Sequence, residues 1–385
     1  MFGDLQEREL IREFVRQLTA KYGRAYWVER AKSKGHLDEI WHELGKAGYL
    51  GVTVPEEYGG SGTSMTRLAI LMEELCTQGV PLLFLVITTA MAAIPIARHG
   101  NEELKQRYLP AIADGSKKFC FAVTEPDAGS NSFNIRTFAK QEGDYYVIKG
   151  QKVFISGYDQ AQHVLLVART TPADQVKEKR HGISLLVVDT NAPGLSAHPM
   201  DTQIFAPERQ FALYFDEVRV PRANLVGEEG RGFRALFDAL NAERITVAAM
   251  AVGLGRFALQ KAVEYAKVRK VFDKPIGAYQ GLAHPMAIAR THLELASLMT
   301  HYAAHVFDAG QDAGMYANMA KYAGAEAGIE AVDIAIEVHG GSGFTGEVDV
   351  ITVWPMARLL RTVPVAREMI LNYVAEHVLG LPRSY

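Results

Sequence analysis

The order of predicted secondary structure along the chain is the feature that most constrains its fold. Residues 1–118 and 227–385 carry apolar side chains at the three- and four-residue spacing of amphipathic helices. Between them, residues 119–226 contain short β-prone runs separated by polar turns, at intervals near those of a small sandwich or barrel. No repeating strand–helix–strand pattern occurs and no GxGxxG motif follows a strand, which disfavours a Rossmann fold. The sequence therefore predicts an α+β protein with a β unit between two helical units.

The middle unit is predicted from β-prone runs, and the flanking units from helical stripes. The charged segment 174–181 predicts a solvated hairpin tip. Gly253 and Gly255 lie inside a stripe that begins at Phe233, where each glycine weakens a helix by roughly 1 kcal/mol unless close packing requires a missing side chain. The β-prone runs are residues 145–148, 153–155, 163–168, 183–188 and 211–215, and the other helical stretches are residues 30–47, 66–78, 282–308, 315–337 and 365–378.

Composition and charge narrow the class of protein. The 385 residues exceed what one core usually organises, so two or three domains are expected. A net charge of −3 and a pI near 6.5 disfavour nucleic acid as a partner, because nucleic-acid-binding proteins carry a basic surface. The two cysteines, Cys76 and Cys120, form no CxxC motif, which favours buried, reduced thiols in a cytoplasmic protein over a disulfide framework or a metal site.

The apolar, uncharged segment 80–97 is the one candidate for a membrane span. Pro81 and Pro95 interrupt it, and it is at the short end of the roughly 20 residues that cross a bilayer. A buried core helix is expected instead, with no membrane partner. Apolar residues at helical spacing from Leu10 to Leu18 likewise predict a folded helix rather than a signal peptide.

A polar turn at residues 121–131, FAVTEPDAGSN, is the strongest local candidate for a binding site. A strand-like apolar start runs into a segment rich in proline, glycine and hydroxyl groups. Such a segment exposes several backbone N–H groups in a short space, which suits an anion or the polar edge of a ring. The residues alone leave open that it is an ordinary turn at the end of a strand.

Five motifs in a fixed order resemble the acyl-CoA dehydrogenase family over nearly the whole chain. The resemblance implies an N-terminal α-helical domain at residues 1–118, a middle β-barrel or sandwich domain at residues 119–226 and a C-terminal four-helix bundle at residues 227–385. It also implies FAD as the cofactor. The motifs are TEPDAGS at residues 124–130, GQKVFIS at 150–156, VPRANLVGEEGRGF at 220–233, RKVFDKPI at 269–276 with Gln280, and GGSGF at 340–344.

The resemblance assigns one set of residues to the flavin ring and the thioester, with Thr124 donating to the edge of the isoalloxazine. Phe154 stands where the family usually has a tryptophan against the ring, and Ser156 stands where it has a threonine; a plain core role for Phe154 is the alternative. The set comprises Phe121, Val123, Thr124, Ser130, Phe154 and Ser156, with Ser130 also beside the substrate.

A second set is implied at the dinucleotide part of FAD. Arg269 matches the arginine that pairs with the pyrophosphate, a contact suited to a guanidinium. Phe272 and Gln280 match positions that touch the FAD of a neighbouring subunit, so the resemblance implies a homotetramer. Core packing for Phe272 and a solvated helix end for Arg269 are the alternatives. Glu337, Gly340 and Gly341 match positions that lie close to FAD in the family. Glu337 replaces a usual glutamine, and the two glycines permit close backbone approach.

The catalytic base is where this chain departs from the common pattern. Most of the family carries the base in a Tyr-Glu-Gly-Thr segment, and counting without gaps from Gly343 puts that glutamate at Pro364. Isovaleryl-CoA and long-chain acyl-CoA dehydrogenases carry it on the long C-terminal-domain helix, where this chain reads Asn241-Ala242-Glu243-Arg244. The resemblance thus implies Glu243 as the base, with Asn241 and Arg244 on the substrate side. The alternative is that Glu243 only pairs with Arg244 or a neighbour on a solvated face.

Pro364 also removes a hydrogen-bond donor. In the family a backbone N–H at this place helps to hold the thioester oxygen, and proline has none. Either another amide serves through a shift of one residue, or a flavin ribityl hydroxyl carries more of the load. The segment 354–357, WPMA, replaces a charged family segment nearby.

Three functions follow as candidates. The first is an FAD-dependent acyl-CoA dehydrogenase that converts an acyl-CoA substrate to a trans-2-enoyl-CoA and passes electrons to an electron-transfer flavoprotein. The second is a flavin-dependent monooxygenase or oxidase on the same fold, and the third is a non-catalytic CoA-binding protein. Glu243 and the intact 124–130 turn favour the first.

Overall fold

The computed structural model describes residues 5–383, and the first part of it is helical. Thr88 and Thr89 lie in a π-helix, Leu85–Ala92, in the predicted buried segment 80–97, which is buried almost throughout. No described helix is both long and apolar enough to cross a membrane. The α-helices are α1 (Leu5–Lys21), α2 (Arg24–Ser33), α3 (Asp38–Lys46), α4 (Met65–Thr77), α5 (Ala93–His99) and α6 (Glu102–Ala113).

The prediction of one helical stretch over residues 30–47 was wrong. Helix α2 ends at Ser33 and α3 begins at Asp38. Lys34 adopts a left-handed backbone with φ of 52°, and its N–H bonds back to the carbonyl of Arg30, which closes the helix. The apolar spacing thus continued across the end of α2 at Lys34 and Gly35, where the helix is interrupted.

The middle unit is one eight-stranded sheet in the order β6-β7-β3-β2-β4-β5-β8, with β1 parallel to β4. The predicted runs 145–148 and 153–155 are parts of one strand, with register shifts between Ile148 and Gly150 and again after Lys152. The charged segment 174–181 joins the antiparallel pair β4–β5, as predicted for a hairpin tip. The strands are β1 (Phe119–Ala122), β2 (Phe138–Glu142), β3 (Tyr145–Ser156), β4 (His163–Arg169), β5 (Ile183–Asp189), β6 (Leu195–Met200), β7 (Gln210–Pro221) and β8 (Leu225–Val226).

Three long helices dominate the C-terminal part. The last helical segment is shorter than the expected range of residues 365–378. It begins at Arg367 as α11 and continues as a π-helix over Val374–Val378. A small hairpin of β9 (Lys270–Val271) and β10 (Lys274–Pro275) separates the first two long helices. The helices are α7 (Phe233–Val268), α8 (Gln280–Asp308), α9 (Gly314–His339), α10 (Trp354–Leu359) and α11 (Arg367–Tyr373).

The two glycines inside α7 are there because neighbouring helices approach closely. A Cβ on Gly253 would lie 2.4 Å from Cβ of Cys76 and 2.4 Å from the carbonyl oxygen of Glu73, both on α4. A Cβ on Gly255 would lie 3.0 Å from Cα of Gly328 on α9. The expected exception, in which close packing requires the missing side chain, is confirmed.

The π-helix joins the middle sheet to the C-terminal helices. The Thr88 hydroxyl donates to the carbonyl of Phe119 at 3.1 Å and accepts from its N–H at 3.0 Å, which fixes the start of β1. The same π-helix packs against α7. The strand that leads into the 121–131 turn and the helix that carries Glu243 are therefore positioned by one buried segment.

Candidate active site

The 124–130 turn is held by its own main chain and by the neighbouring strand. The N–H of Glu125 donates to the carbonyl of Ala128 and that of Ala128 to the carbonyl of Glu125, both at 3.1 Å. The N–H of Val153 donates to the carbonyl of Thr124 at 2.9 Å. These bonds fix the turn beside β3, the strand that carries Phe154.

A buried ion pair between Lys152 and Glu125 also holds this turn in place. Lys152 is fully buried, and its Nζ lies 2.8 Å from Oε1 of Glu125 and donates to the carbonyl of Val123 at 2.8 Å. The Glu125 carboxylate also accepts from the N–H groups of Arg136 and Thr137 at 2.6 and 2.9 Å. Burial acts to raise the pKa of Glu125, but the Lys152 charge and these hydrogen bonds outweigh it and bring the pKa below its usual range. For Lys152, burial is the largest effect and lowers its pKa to about 8.

Sequence reasoning missed Lys152 as a supporting residue. Its signal is a lone lysine between β-prone residues in the GQKVFIS motif, two residues before Phe154. A lysine in the middle of a buried strand requires a partner, because an unpaired buried ammonium is costly. The TEPDAGS turn contains two acids, Glu125 and Asp127, and Glu125 is the one that pairs with Lys152.

The residues predicted at the flavin ring lie around this supported turn. Phe121 is buried, Val123 and Thr124 are half-buried, and Ser130 is exposed. Within residues 5–383, the Thr124 hydroxyl makes no hydrogen bond to another residue, so it is available to a ligand. This arrangement fits the donor that the flavin edge would need.

Phe154 and Ser156 lie on the same strand with different surroundings. Phe154 is 59% exposed and has a φ of 59°, in the left-handed region, which turns it out of the regular strand. The core alternative for Phe154 is therefore wrong. The Ser156 hydroxyl is half-buried and donates to Oε1 of Gln210 at 3.0 Å.

The residues predicted at the dinucleotide follow the C-terminal end of α7. Arg269 is exposed directly after α7, and Phe272 is 87% exposed in the β9–β10 turn with a φ of 52°, so the core alternative for Phe272 is wrong. Gln280 is the exposed first residue of α8. Among the described residues, no hydrogen bond or ion pair joins these three to the 124–130 turn.

The end of α9 supplies the remaining predicted positions. Glu337, Gly340 and Gly341 are all exposed. Gly340 has a φ of 58°, which favours glycine, and a Cβ on either glycine would meet no atom of the described residues within 4 Å. The Tyr265 and His339 rings pack with centroids 4.7 Å apart, so the ends of α7 and α9 are neighbours.

Glu243 lies in α7, and one of its two carboxylate oxygens is bound by none of the described residues. Its Oε2 is shielded from solvent and has no hydrogen-bond partner among residues 5–383, although the residue as a whole is half-buried. Arg244 is buried, and its Nη1 donates to Oδ1 of Asn241 at 2.7 Å. Among the described residues, no cation lies within ion-pair distance of Glu243, in contrast to the alternative of a pair with Arg244.

The electrostatics of Glu243 suit proton transfer near neutral pH. Burial raises the pKa of Glu243 to about 8, although the cations of Arg244 and Lys321 act to lower it. Burial also lowers the pKa of Arg244. A carboxyl group with such a pKa and an unpaired oxygen can accept a proton from a ligand placed against it.

Lys321 is a second residue that sequence reasoning missed. It is 1% exposed on α9, and its Nζ donates to the carbonyls of Val365 and Arg361 at 2.6 and 3.3 Å. Burial, followed by the nearby Arg244 cation, lowers the pKa of Lys321 to about 8. The signal in the sequence is a single lysine among small apolar residues of a helical stripe, at residues 317–325.

The segment 354–357 has a packing explanation. Trp354 is the first residue of α10, and its indole N–H donates to Oδ1 of Asp333 at 2.6 Å. Pro355 follows in the first turn, where a helix needs no N–H donor. Met356 and Ala357 are buried.

Comparisons with known proteins agree with this architecture along the whole chain. Three family profiles match: "Acyl-CoA dehydrogenase, N-terminal domain" at residues 5–116, "middle domain" at 120–218 and "C-terminal domain" at 230–379. Acyl-CoA dehydrogenase FadE12 of Mycobacterium tuberculosis is 50% identical over 386 residues, covering 100% of this chain and 99% of the relative.

Two further proteins are similar at lower identity. The caffeyl-CoA reductase–Etf complex subunit CarC of Acetobacterium woodii is 33% identical over 90% of this chain and 91% of its own length. The crystal structure of a glutaryl-CoA dehydrogenase from Mycobacterium smegmatis in complex with FADH2 superposes with a TM-score of 0.90 at 26% identity, covering 100% of this chain and 97% of that one.

Proposed function

This chain belongs to the acyl-CoA dehydrogenase family, and from that membership we propose that it oxidises an acyl-CoA thioester to the trans-2-enoyl-CoA, with FAD as cofactor. The observation that carries the proposal is the shielded, unpaired Oε2 of Glu243 on α7. A carboxylate in that state has no partner, in the part of the chain that the structure describes, that competes for the substrate proton. We assign Glu243 as the base that removes a proton from the carbon next to the thioester carbonyl.

The electrostatic setting supports this role. A base must be ionised before it can act, and the Arg244 and Lys321 cations favour the ionised form of Glu243 against the effect of burial. Arg244 is itself held by Asn241, so its guanidinium has a fixed position beside the base. We place both residues on the substrate side of the site.

The residues around the 124–130 turn and at the ends of α7 and α9 fit FAD. Bound FAD supplies the acceptor for the hydride that leaves the β-carbon. The unpartnered Thr124 hydroxyl would bind the ring edge, and the exposed Phe154 face would pack on the ring beside Phe121, Val123, Ser130 and Ser156. Arg269 would pair with the pyrophosphate, near Glu337, Gly340 and Gly341.

We further propose a homotetramer whose subunits share the FAD sites through Phe272 and Gln280. Exposed apolar side chains on and near α8 support an interface between copies: Phe272, Ile288, Leu295 and Leu298 are each at least half exposed. Light scattering of the purified protein tests this assembly. A monomer with FAD bound would contradict it.

Electron transfer, compartment and domain division complete the proposal. The Acetobacterium woodii relative is named as a subunit of a complex with Etf, which supports an electron-transfer flavoprotein as electron acceptor. Both cysteines are free and buried, which is consistent with a reducing cytoplasm. The change from helices to strands after residue 113 and back before residue 233 supports domains divided after residues 118 and 226.

An anaerobic titration separates the candidate functions. The purified protein should be yellow, and an acyl-CoA of suitable length should bleach the flavin in the absence of oxygen. A monooxygenase would remain oxidised until an external reductant is added, and a colourless protein that cannot be reconstituted with FAD would indicate a binding protein. A panel of acyl-CoA thioesters compared by kcat/KM with an artificial acceptor would then identify the acyl group.

A further inference from the structure

The last residue of β3 and the first residue of β7 form a side-chain pair at one end of the sheet. Ser156 lies opposite Gln210 in the antiparallel register, and its hydroxyl donates to Oε1 of Gln210 at 3.0 Å. Within residues 5–383, neither side chain makes another hydrogen bond. The amide nitrogen of Gln210 therefore has no acceptor among these residues, and the single proton of the Ser156 hydroxyl points to Gln210.

The pair lies on the same face of the sheet as the ring of Phe154. Side chains alternate between the two faces along a strand, and the neighbours of the pair, Ile155 and Phe211, are buried in the core. Ser156 and Gln210 are half-buried and point to the other face. The β3 ladder shifts register just before Ile155, and the ring of Phe154 is 59% exposed there. Because the core closes the buried face, a flavin ring packed on Phe154 would lie along the face that carries the pair.

The backbone next to the pair holds the two strand ends together. The N–H of Gly157 donates to the carbonyl of Arg209 at 2.8 Å, and the guanidinium of Arg209 binds Asp159 at 2.7 Å. Gly157 has a φ of 68°, and a Cβ on it would lie 2.4 Å from Cζ of Phe84. The ends of β3 and β7 cannot separate without breaking these contacts. The orientation of the Gln210 carboxamide is therefore what can change at this place, and not its distance from the serine.

A carboxamide can present either an acceptor oxygen or a donor N–H to a neighbouring hydroxyl. With Oε1 of Gln210 facing Ser156, the serine proton is used inside the pair. If the carboxamide turns end for end, Nε2 donates to the serine oxygen, and the serine proton is released to another acceptor. The turn breaks no other hydrogen bond of the described residues, because the contact with Ser156 is the only one that this carboxamide makes among them.

We propose that Gln210 is a positioning residue that controls whether Ser156 can donate a hydrogen bond to the flavin ring. This inference rests on the proposed function, because it assumes FAD beside Phe154 and Ser156. With FAD bound, the Gln210 amide donates to the serine oxygen, and the serine hydroxyl donates to an acceptor atom at the edge of the ring. A hydrogen bond to the ring favours the electron-rich reduced flavin, so the pair raises the reduction potential of the cofactor.

The direct test is Gln210→Glu, which has nearly the same shape but only accepts hydrogen bonds when it is ionised. At pH 8, well above the usual glutamate pKa of about 4.3, its carboxylate should hold the Ser156 proton permanently. The reduction potential of bound FAD, measured by anaerobic titration with dithionite and a reference dye, should fall. Binding of FAD to the apoprotein should weaken about 2- to 10-fold, the loss typical of one hydrogen bond between neutral groups.

An added negative charge alone would also lower the potential, so matched variants isolate the hydrogen bond. Gln151→Glu adds the same charge at an exposed position of β3, roughly 16 Å along the strand from Ser156, and should leave the potential and the FAD affinity near their wild-type values. Ser156→Ala removes the hydroxyl, and adding Gln210→Glu to it should then change the potential little. Ser156→Thr keeps a hydroxyl, so Gln210→Glu should retain its full effect in that background.

Two results would overturn the inference. One is a wild-type potential and FAD affinity in Gln210→Glu, and the other is a shift from Gln210→Glu that is equally large with and without Ser156→Ala. If Gln210→Glu does not fold, Ser156→Ala decides the question, because an unchanged potential there would show that the ring receives no hydrogen bond from Ser156. Failure of the proposed function is distinct, because no acyl-CoA would then bleach the wild-type flavin, while reduction of the bound FAD by dithionite still reports on the pair.

Discussion

Replacing Lys152 by methionine should destabilise the middle domain and weaken its hold on FAD. The substitution leaves the Glu125 carboxylate, which is 7% exposed, with two backbone N–H donors and no cation. Breaking a buried pair by removal of one partner costs about 3–5 kcal/mol. With an unfolding entropy of about 2.1 cal/mol/K per residue over this chain, that corresponds to a fall in Tm of roughly 4–6 °C for unfolding as a unit.

The assay is thermal unfolding of the holoenzyme, monitored by circular dichroism and by the rise in flavin fluorescence when FAD is released. Lys149→Met on the same strand is the matched control, because Lys149 pairs with Glu217 at 2.7 Å with both side chains about two-thirds exposed. Such a surface pair contributes about 0–1 kcal/mol, so its Tm should fall by about 1 °C or less.

The double variant Lys152→Met/Glu125→Gln completes a thermodynamic cycle. It removes the uncompensated charge, so it should recover part of the loss, with a coupling of about 0.5–3 kcal/mol between the two sites. A fall in Tm for Lys152→Met as small as that for Lys149→Met would refute the reasoning. It would mean that the buried pair does not support the 124–130 turn.

Three further predictions concern packing, cofactor and pH. Gly253→Ala should destabilise the protein by about 1–3 kcal/mol in thermal unfolding, because its Cβ would meet α4 atoms at 2.4 Å; an unchanged Tm would contradict the packing. Arg269→Lys keeps the charge but loses the planar fork, so FAD titration of the apoprotein should show about tenfold weaker binding, and equal affinity would contradict the assignment. The pKa of Glu243 is raised to about 8, and only its ionised form accepts a proton. We therefore expect kcat/KM to rise with pH below about 8 and to level off above it. A flat profile from pH 6 to 9 would contradict the role of Glu243.

The order of elements could be predicted from the sequence because burial periodicity is local information. The three long helices and the sheet follow directly from apolar spacing and β-prone runs. The break between α2 and α3 could not be predicted that way, since a left-handed Lys34 leaves the apolar spacing on both sides intact. The π-helix over Leu85–Ala92 was equally hidden, because a buried segment carries no polar face to report its period.

The candidate site was predictable where motifs carry it and not where folding brings distant residues together. Thr124 and Phe154 lie in recognisable motifs, and the structure shows one with a free hydroxyl and the other with an exposed ring. Lys152 and Lys321 act through buried contacts with Glu125 and with the carbonyl of Val365, which no spacing in the sequence reveals. Their only local signal is a charge within an apolar stretch.

The central claim is that proton abstraction rests on Glu243 of α7 and not on the 361–367 segment. Anaerobic stopped-flow of Glu243→Gln with an acyl-CoA that bleaches the wild-type flavin measures this most directly. The account predicts that FAD and the acyl-CoA still bind, while the rate of flavin reduction falls about 10²- to 10⁴-fold, the contribution of a positioned base. Reduction at the wild-type rate would contradict it.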